Sequence, residues 1–278
     1  MNKKTLIVRN IIIIGFMLST INGFAQDPNF HIYLCFGQSN MEGQGVIEEQ
    51  DRTVDPRFQV LQSLDCPRLE RTKQTWHPAI PPLSQCESGL SPADYFGRTL
   101  VKKLPDSIKV GVINVAVGGC DIRLFDKDIY TAHDSTYTED WFTNKVKAYG
   151  GNPYAHLLQL AKRAQQDGVI KGILLHQGET NTGDTQWPSY VKKVYDDILT
   201  DLSLPANSIP LLAGELVSIP DSCCDRMNPI INTLPDVLPN AYVISSTGCT
   251  AQDNAHFDAA GYRELGRRYA IQMLSLYE

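Results

Sequence analysis

The sequence is short of the features that mark several protein classes. Its main apolar stretch, Ile11–Leu18, falls well below the roughly 20 residues that span a bilayer, which excludes stable membrane insertion of the mature chain. It has no CxxC pair, and Cys223 and Cys224 are adjacent, so cysteine spacing gives no support to a zinc site. It has no excess of basic residues. With 25 Lys and Arg against 31 Asp and Glu, the net charge is −6, which argues against a nucleic-acid partner. No internal repeat, low-complexity tract or linker divides the 278 residues, so a single domain is expected.

What is present reads as an exported globular protein. Hydrophobic residues at 42% and charged residues at 20% are ordinary for a packed domain. The N-terminus carries Lys3, Lys4 and Arg9, then the apolar stretch, then Gly23-Phe24-Ala25 with small residues suited to cleavage before Gln26. Residues 1–25 are therefore expected to be a signal peptide and 26–278 the mature domain, secreted or periplasmic. Its removal loses three positive charges and no acid, which takes the net charge from −6 to −9. Export permits disulfides, and seven cysteines leave at least one thiol free. Cys66 with Cys86 is one expected pair, and Cys249 with Cys223 or Cys224 another. Cys35, inside an apolar run, is expected to pack as a small hydrophobe.

Five apolar runs punctuate the chain: His31–Gly37, Val110–Val117, Gly172–His176, Ile209–Leu216 and Ala241–Ser245. Several are continuously apolar, as in strands covered on both faces. Helical patterns occupy Pro92–Leu104, Pro153–Asp167, Pro188–Leu202, Asn228–Val237 and Asp258–Leu276. This alternation predicts an α/β domain with a parallel sheet and right-handed crossovers. Ligands in such sheets sit beyond the carboxyl ends of the strands. Glu42–Gly89 and Thr131–Gly151 lack clear periodicity and read as loops over the sheet.

Four polar fragments follow the apolar runs or precede the last helix. Gly37-Gln38-Ser39-Asn40-Met41 puts a serine at the sheet edge, without the spacing of a GxSxG elbow. Asp253-Asn254-Ala255-His256 spaces a carboxylate to orient an imidazole, leaving the other ring nitrogen to deprotonate a serine. His176-Gln177-Gly178-Glu179-Thr180-Asn181 offers Gln177 or Asn181 as a side-chain oxyanion donor and Glu179 as a supporting acid. Gly118-Gly119 lets backbone approach a ligand and offers an amide donor. Two rival readings use some of the same residues. His176, Glu179 and His256 could ligate zinc, but that leaves Ser39 and Asp253 without roles. Trp76, Trp141 and Trp187 could stack on sugars in a non-catalytic binding module.

Taken together, the blocks at 37–41, 176–179 and 253–256 resemble carbohydrate esterase family 6. That family includes acetyl xylan esterases and is related to the sialate O-acetylesterases of the SGNH hydrolase superfamily. The resemblance implies a three-layer α/β/α sandwich on a flavodoxin-like, five-stranded parallel sheet. It implies Ser39 as nucleophile, His256 as general base, Asp253 as its acidic partner and Glu179 as a supporting acid. Oxyanion donors would be the amides of Ser39 and Gly119 with the side chain of Gln177 or Asn181. The expected substrate is acetylated carbohydrate, foremost xylan, with another acylated glycan such as O-acetyl sialate as the alternative. No metal or organic cofactor is implied.

Overall fold

The structure, a computed structural model, describes residues 26–134 and 137–277. The expected signal peptide lies outside the described residues. Seven strands form one sheet: β1 (Asp27–Gly37), β2 (Phe58–Leu61), β3 (Trp76–Pro78), β4 (Lys109–Ala116), β5 (Gly168–His176), β6 (Leu211–Gly214) and β7 (Ala241–Ile244). Their spatial order is β3-β2-β4-β1-β5-β6-β7. Every neighbouring pair is parallel except β2 with β3. The five apolar runs are β4, β1, β5, β6 and β7, in flavodoxin-like order. The sheet has seven strands rather than five because the segment read as a loop at 42–89 contributes β2 and β3. These strands have four and three residues, too few to establish a period of two.

Among the described residues eight α-helices accompany the sheet: α1 (Ser39–Glu42), α2 (Pro92–Lys103), α3 (Asp140–Ala148), α4 (Pro153–Ala164), α5 (Trp187–Asp201), α6 (Asn228–Ile231), α7 (Leu234–Val237) and α8 (Ala259–Leu274). Local chemistry sets several of their starts. Ser91 and Asp94 form a capping box at α2, Asn152 caps α4 through the Ala155 amide, and Asp258 caps α8 through the Gly261 amide. The expected single helix over 228–237 is two short ones, because Pro235 has no N–H to continue the ladder. The expected loop at 131–151 contains α3, whose Phe142 and Val146 are buried.

Side chains of β1 alternate between two cores, as a strand's period of two requires. Tyr33 and Cys35 pack with Phe96 and Leu100 of α2 and Tyr262 and Leu265 of α8. Ile32, Leu34 and Phe36 pack with Leu157 of α4 and Val191 of α5. Helices thus cover both faces. Between β1 and β5 the crossover direction reverses, and the carboxyl ends of β4, β1 and β5 open a crevice there.

Candidate active site

Strand β1 ends at Gly37, where φ is +146° and an added Cβ would lie 2.1 Å from the His176 carbonyl oxygen. Only glycine lets β1 and β5 stay this close while the chain turns out of the sheet. Ser39 then opens α1 at the carboxyl edge. The loop after β7 brings His256 to it, with Nε2 2.9 Å from Ser39 Oγ. On the far side of the ring, Nδ1 lies 2.9 Å from Asp253 Oδ2 and 3.1 Å from Oδ1. Asp253 Oδ1 also accepts the amides of Ala255 and His256 at 2.8 and 2.7 Å. Partial burial pushes the Asp253 carboxyl up. The hydrogen bonds from the His256 ring and these two amides outweigh that and hold it below its ordinary value. The carboxylate is therefore ionised where it can orient and stabilise an imidazolium.

These groups border a pocket of about 330 Å³ lined by Gln38, Ser39, Gly119, Trp141, Glu179 and His256, among others. Gly119 has φ of +81°, and a Cβ there would meet the Trp141 ring at 2.8 Å. The amides of Ser39 and Gly119 have no acceptor among the described residues. Glu179 is half-buried at the pocket wall. Burial pushes its carboxyl up to about 7, against the opposing hydrogen bonds of its own backbone amide and Asn40.

Gln177 and Asn181 do not face the pocket. The Gln177 side chain is 1% exposed, and its Nε2 donates toward Asn181 Oδ1 (2.7 Å), the Cys120 carbonyl (3.1 Å) and Gln38 Oε1 (3.2 Å). Its Oε1 accepts from Trp187 Nε1. Asn181 donates to Asp121 Oδ2 at 2.9 Å and accepts the Ile122 amide at 3.0 Å. Both amides are consumed in holding three loops together, so neither is placed as an oxyanion donor.

His176 is fully buried on the other side of the strand end, 3.1 Å from the Glu215 carbonyl through Nε2. Burial lowers its pKa to about 4. The His176, Glu179 and His256 set is not assembled as a metal site. The only carboxylate, histidine or cysteine cluster of that kind among the described residues is Asp126, Asp128 and Asp197, where Lys193 already pairs with all three. Trp187 is buried and Trp76 donates to Asp167. Of the three tryptophans, Trp141 alone presents an exposed ring at the pocket. Cys66 pairs with Cys86 as expected. Cys223 pairs with Cys224 instead of with Cys249, which is buried and free, as are Cys35 and Cys120.

A family model described as carbohydrate esterase, sialic acid-specific acetylesterase matches residues 29–275. The chain belongs to this family. It is a carbohydrate acetylesterase, a carboxylic ester hydrolase acting on acetylated carbohydrate. Solved structures share its fold. A protein from Arabidopsis thaliana has TM-score 0.68 at 20% identity, over 90% of this chain and 99% of that one. NanS has TM-score 0.63 at 16% identity, over 90% and 98%. A carbohydrate acetylesterase from Xanthomonas citri has TM-score 0.59 at 18% identity, over 86% of this chain and 55% of that one.

Two residues that motif reading left without roles hold the surroundings of this pocket. Asn40 is fully buried and joins three segments. Its Nδ2 donates to Glu179 Oε1 at 2.6 Å and the Ala255 carbonyl at 2.8 Å, while its Oδ1 accepts from Tyr262 Oη at 2.6 Å and the Phe257 amide at 3.3 Å. It ties the serine turn to the histidine loop. Gln38 lines the pocket, and its Oε1 accepts Gln177 Nε2 and the Gly178 amide. An amide pinned by its oxygen has its NH₂ directed away from those donors. The amide side chains on either side of the serine were the available sequence signal, but neither burial nor direction is written in residue type.

Proposed function

We propose that the protein is a secreted or periplasmic serine esterase, with residues 26–278 as its single domain, that removes O-acetyl groups from plant polysaccharide, foremost acetylated xylan. The hydrogen-bonded line Ser39–His256–Asp253 carries this reading. His256 takes the proton from Ser39 as Oγ attacks the ester carbonyl. The oxyanion is met by the Ser39 and Gly119 amides and, in place of Gln177 or Asn181, by Gln38 Nε2. Each such donor is worth on the order of 3 kcal/mol. His256 then gives that proton to the departing sugar oxygen, which leaves as a hydroxyl, and water repeats the cycle on the acetyl-enzyme to release acetate. The scheme uses no metal or organic cofactor. Glu179 supports it by holding Asn40, which in turn holds the Ala255 carbonyl beside His256.

An O-acetyl sialate substrate is the second reading, favoured by the family description and the likeness to NanS. Acetate release from acetylated xylan and from O-acetylated sialic acid, with Ser39→Ala alongside, separates the two. Release from xylan by the parent and not by the variant supports the family 6 reading. Release from sialate alone moves the substrate. Turnover of neither, nor of an activated acetate ester, would overturn the esterase.

A further inference from the structure

Glu42 is a carboxylate that neither the triad nor the oxyanion donors account for. It is 3% exposed, against Gly118 and Lys145 of the pocket lining, three residues after Ser39 on the same helical turn. Burying a charge is costly without close partners. Glu42 has two, both on one oxygen: Oε2 accepts the Gly118 amide at 2.8 Å and Lys145 Nζ at 2.7 Å. The first partner belongs to the turn that presents Gly119. The second belongs to α3, which also lays Trp141 against Gly119.

The turn needs such anchors. Two successive glycines leave its backbone freer than any other pair of residues would. The Gly119 carbonyl accepts Thr180 Oγ1 at 2.8 Å, and the Cys120 amide donates to the Val117 carbonyl at 3.2 Å. With Glu42 taking the Gly118 amide, the peptides on either side of the Gly119 N–H are fixed, and that N–H is left toward the pocket. Because Glu42 and Ser39 share one turn of helix, the same contact sets the distance between nucleophile and donor.

We propose that Glu42 is a positioning residue that registers the Gly118–Gly119 turn against Ser39, with Lys145 keeping its charge compensated. The proposal rests on the esterase reading above. A donor displaced from the developing oxyanion loses the stabilisation it gives the transition state while leaving ground-state binding nearly intact. Glu42→Met keeps the volume and removes the acceptor. Glu42→Gln keeps an oxygen for the Gly118 amide. Gly118→Ala attacks the same contact from the other side, since a Cβ there would meet Glu42 Oε2 at 2.6 Å and Lys145 Nζ at 3.0 Å, both ends of flexible side chains.

The test is kcat and KM of the purified protein on an activated acetate ester, per active site titrated, with the Ki of an alkylboronic acid that forms a tetrahedral adduct on the serine. Glu42→Met and Gly118→Ala should each lower kcat by about 30-fold or more with KM within about threefold, and weaken the boronic acid to a similar degree. Glu42→Gln should stay within about fivefold of the parent, and the double variant should lose no more than the worse single one. Should Glu42→Met fail to fold, Gly118→Ala and Glu42→Gln still decide. A kcat within threefold of the parent in Gly118→Ala, a loss confined to KM, or Glu42→Gln as impaired as Gly118→Ala overturns the proposal. Ser39→Ala in the same assay isolates the underlying reading: if that variant stays active, the serine esterase itself fails, whereas its inactivity beside an unimpaired Glu42→Met sinks only the role of Glu42.

Discussion

The two polar shells at the carboxyl edge of the sheet are built from similar residues and do opposite things. In front, Ser39, His256 and Asp253 form a line of contacts at the pocket, with Asp253 half open to solvent. Behind, Gln177, Asn181, Asp121 and Trp187 saturate one another, with the Trp187 ring and the Gln177 side chain nearly inaccessible. The front has spare valence for a reacting group. The back has none, and that is what keeps the front in register. Gln38 joins the shells through its Oε1, which accepts from Gln177 Nε2, while Asn40 uses both ends of its amide to tie the serine turn to Glu179 and the histidine loop.

Substitutions on the two shells should separate activity from stability. The largest effect is expected at Ser39→Ala and His256→Ala, each about 10⁴-fold or more in kcat on an activated acetate ester, with the unfolding midpoint little changed. Gln38→Ala should cost about 10²-fold to 10³-fold in kcat, the signature of a lost oxyanion donor. Asp253→Asn should cost less than Ser39→Ala, about 10²-fold, because a solvent-exposed carboxylate is partly replaced by water. Full activity of Asp253→Asn would break the triad assignment. Gln177→Ala belongs to the other shell: it strands buried partners and should remove about 2–4 kcal/mol of stability by urea titration, with kcat per folded molecule falling less than in Gln38→Ala. The reverse ranking would return the oxyanion role to Gln177.

Glu179 sharpens the comparison through pH. Its carboxyl is pushed up to about 7 from the ordinary 4.5, chiefly by burial. Between those values the unfolded chain has released a proton that the folded chain keeps, so stability falls as pH rises from about 4.5 to 7, and above 7 the loss is complete and constant. Asp94, also pushed up to about 7 by burial, adds a parallel slope, so the comparison must be with the parent. Glu179→Gln should gain on the order of 2 kcal/mol relative to the parent at pH 8 compared with pH 5. An unchanged difference between the two pH values would contradict a Glu179 carboxyl raised by burial.

The fold was legible where burial on both faces leaves a compositional trace. The strands β4, β1, β5, β6 and β7 and the helices that cross between them appear as apolar runs and helical periods. Strands β2 and β3 and the helix α3 were not, because they lie in long stretches without a clear apolar run, where pairing is settled by tertiary contact. At the site, Ser39, His256 and Asp253 were legible because their separations along the chain suit one reaction, and the structure does bring them within hydrogen-bond reach. The side chains of Gln177 and Asn181 are bonded among the loops rather than turned to the pocket, a direction their residue type does not give, because an amide donates equally well to substrate or to a neighbouring loop. Glu42 was hidden for a related reason: a glutamate beside a serine reads as solvated until its burial and its two partners are seen.

The central claim is that Ser39 is the nucleophile and that His256 activates it. Intact-mass and peptide analysis after reaction with an organophosphorus ester tests both at once. One adduct per chain on the Ser39 peptide, formed far more slowly in His256→Ala, is the predicted result. No adduct, an adduct on another residue, or equal rates in parent and His256→Ala would contradict the account.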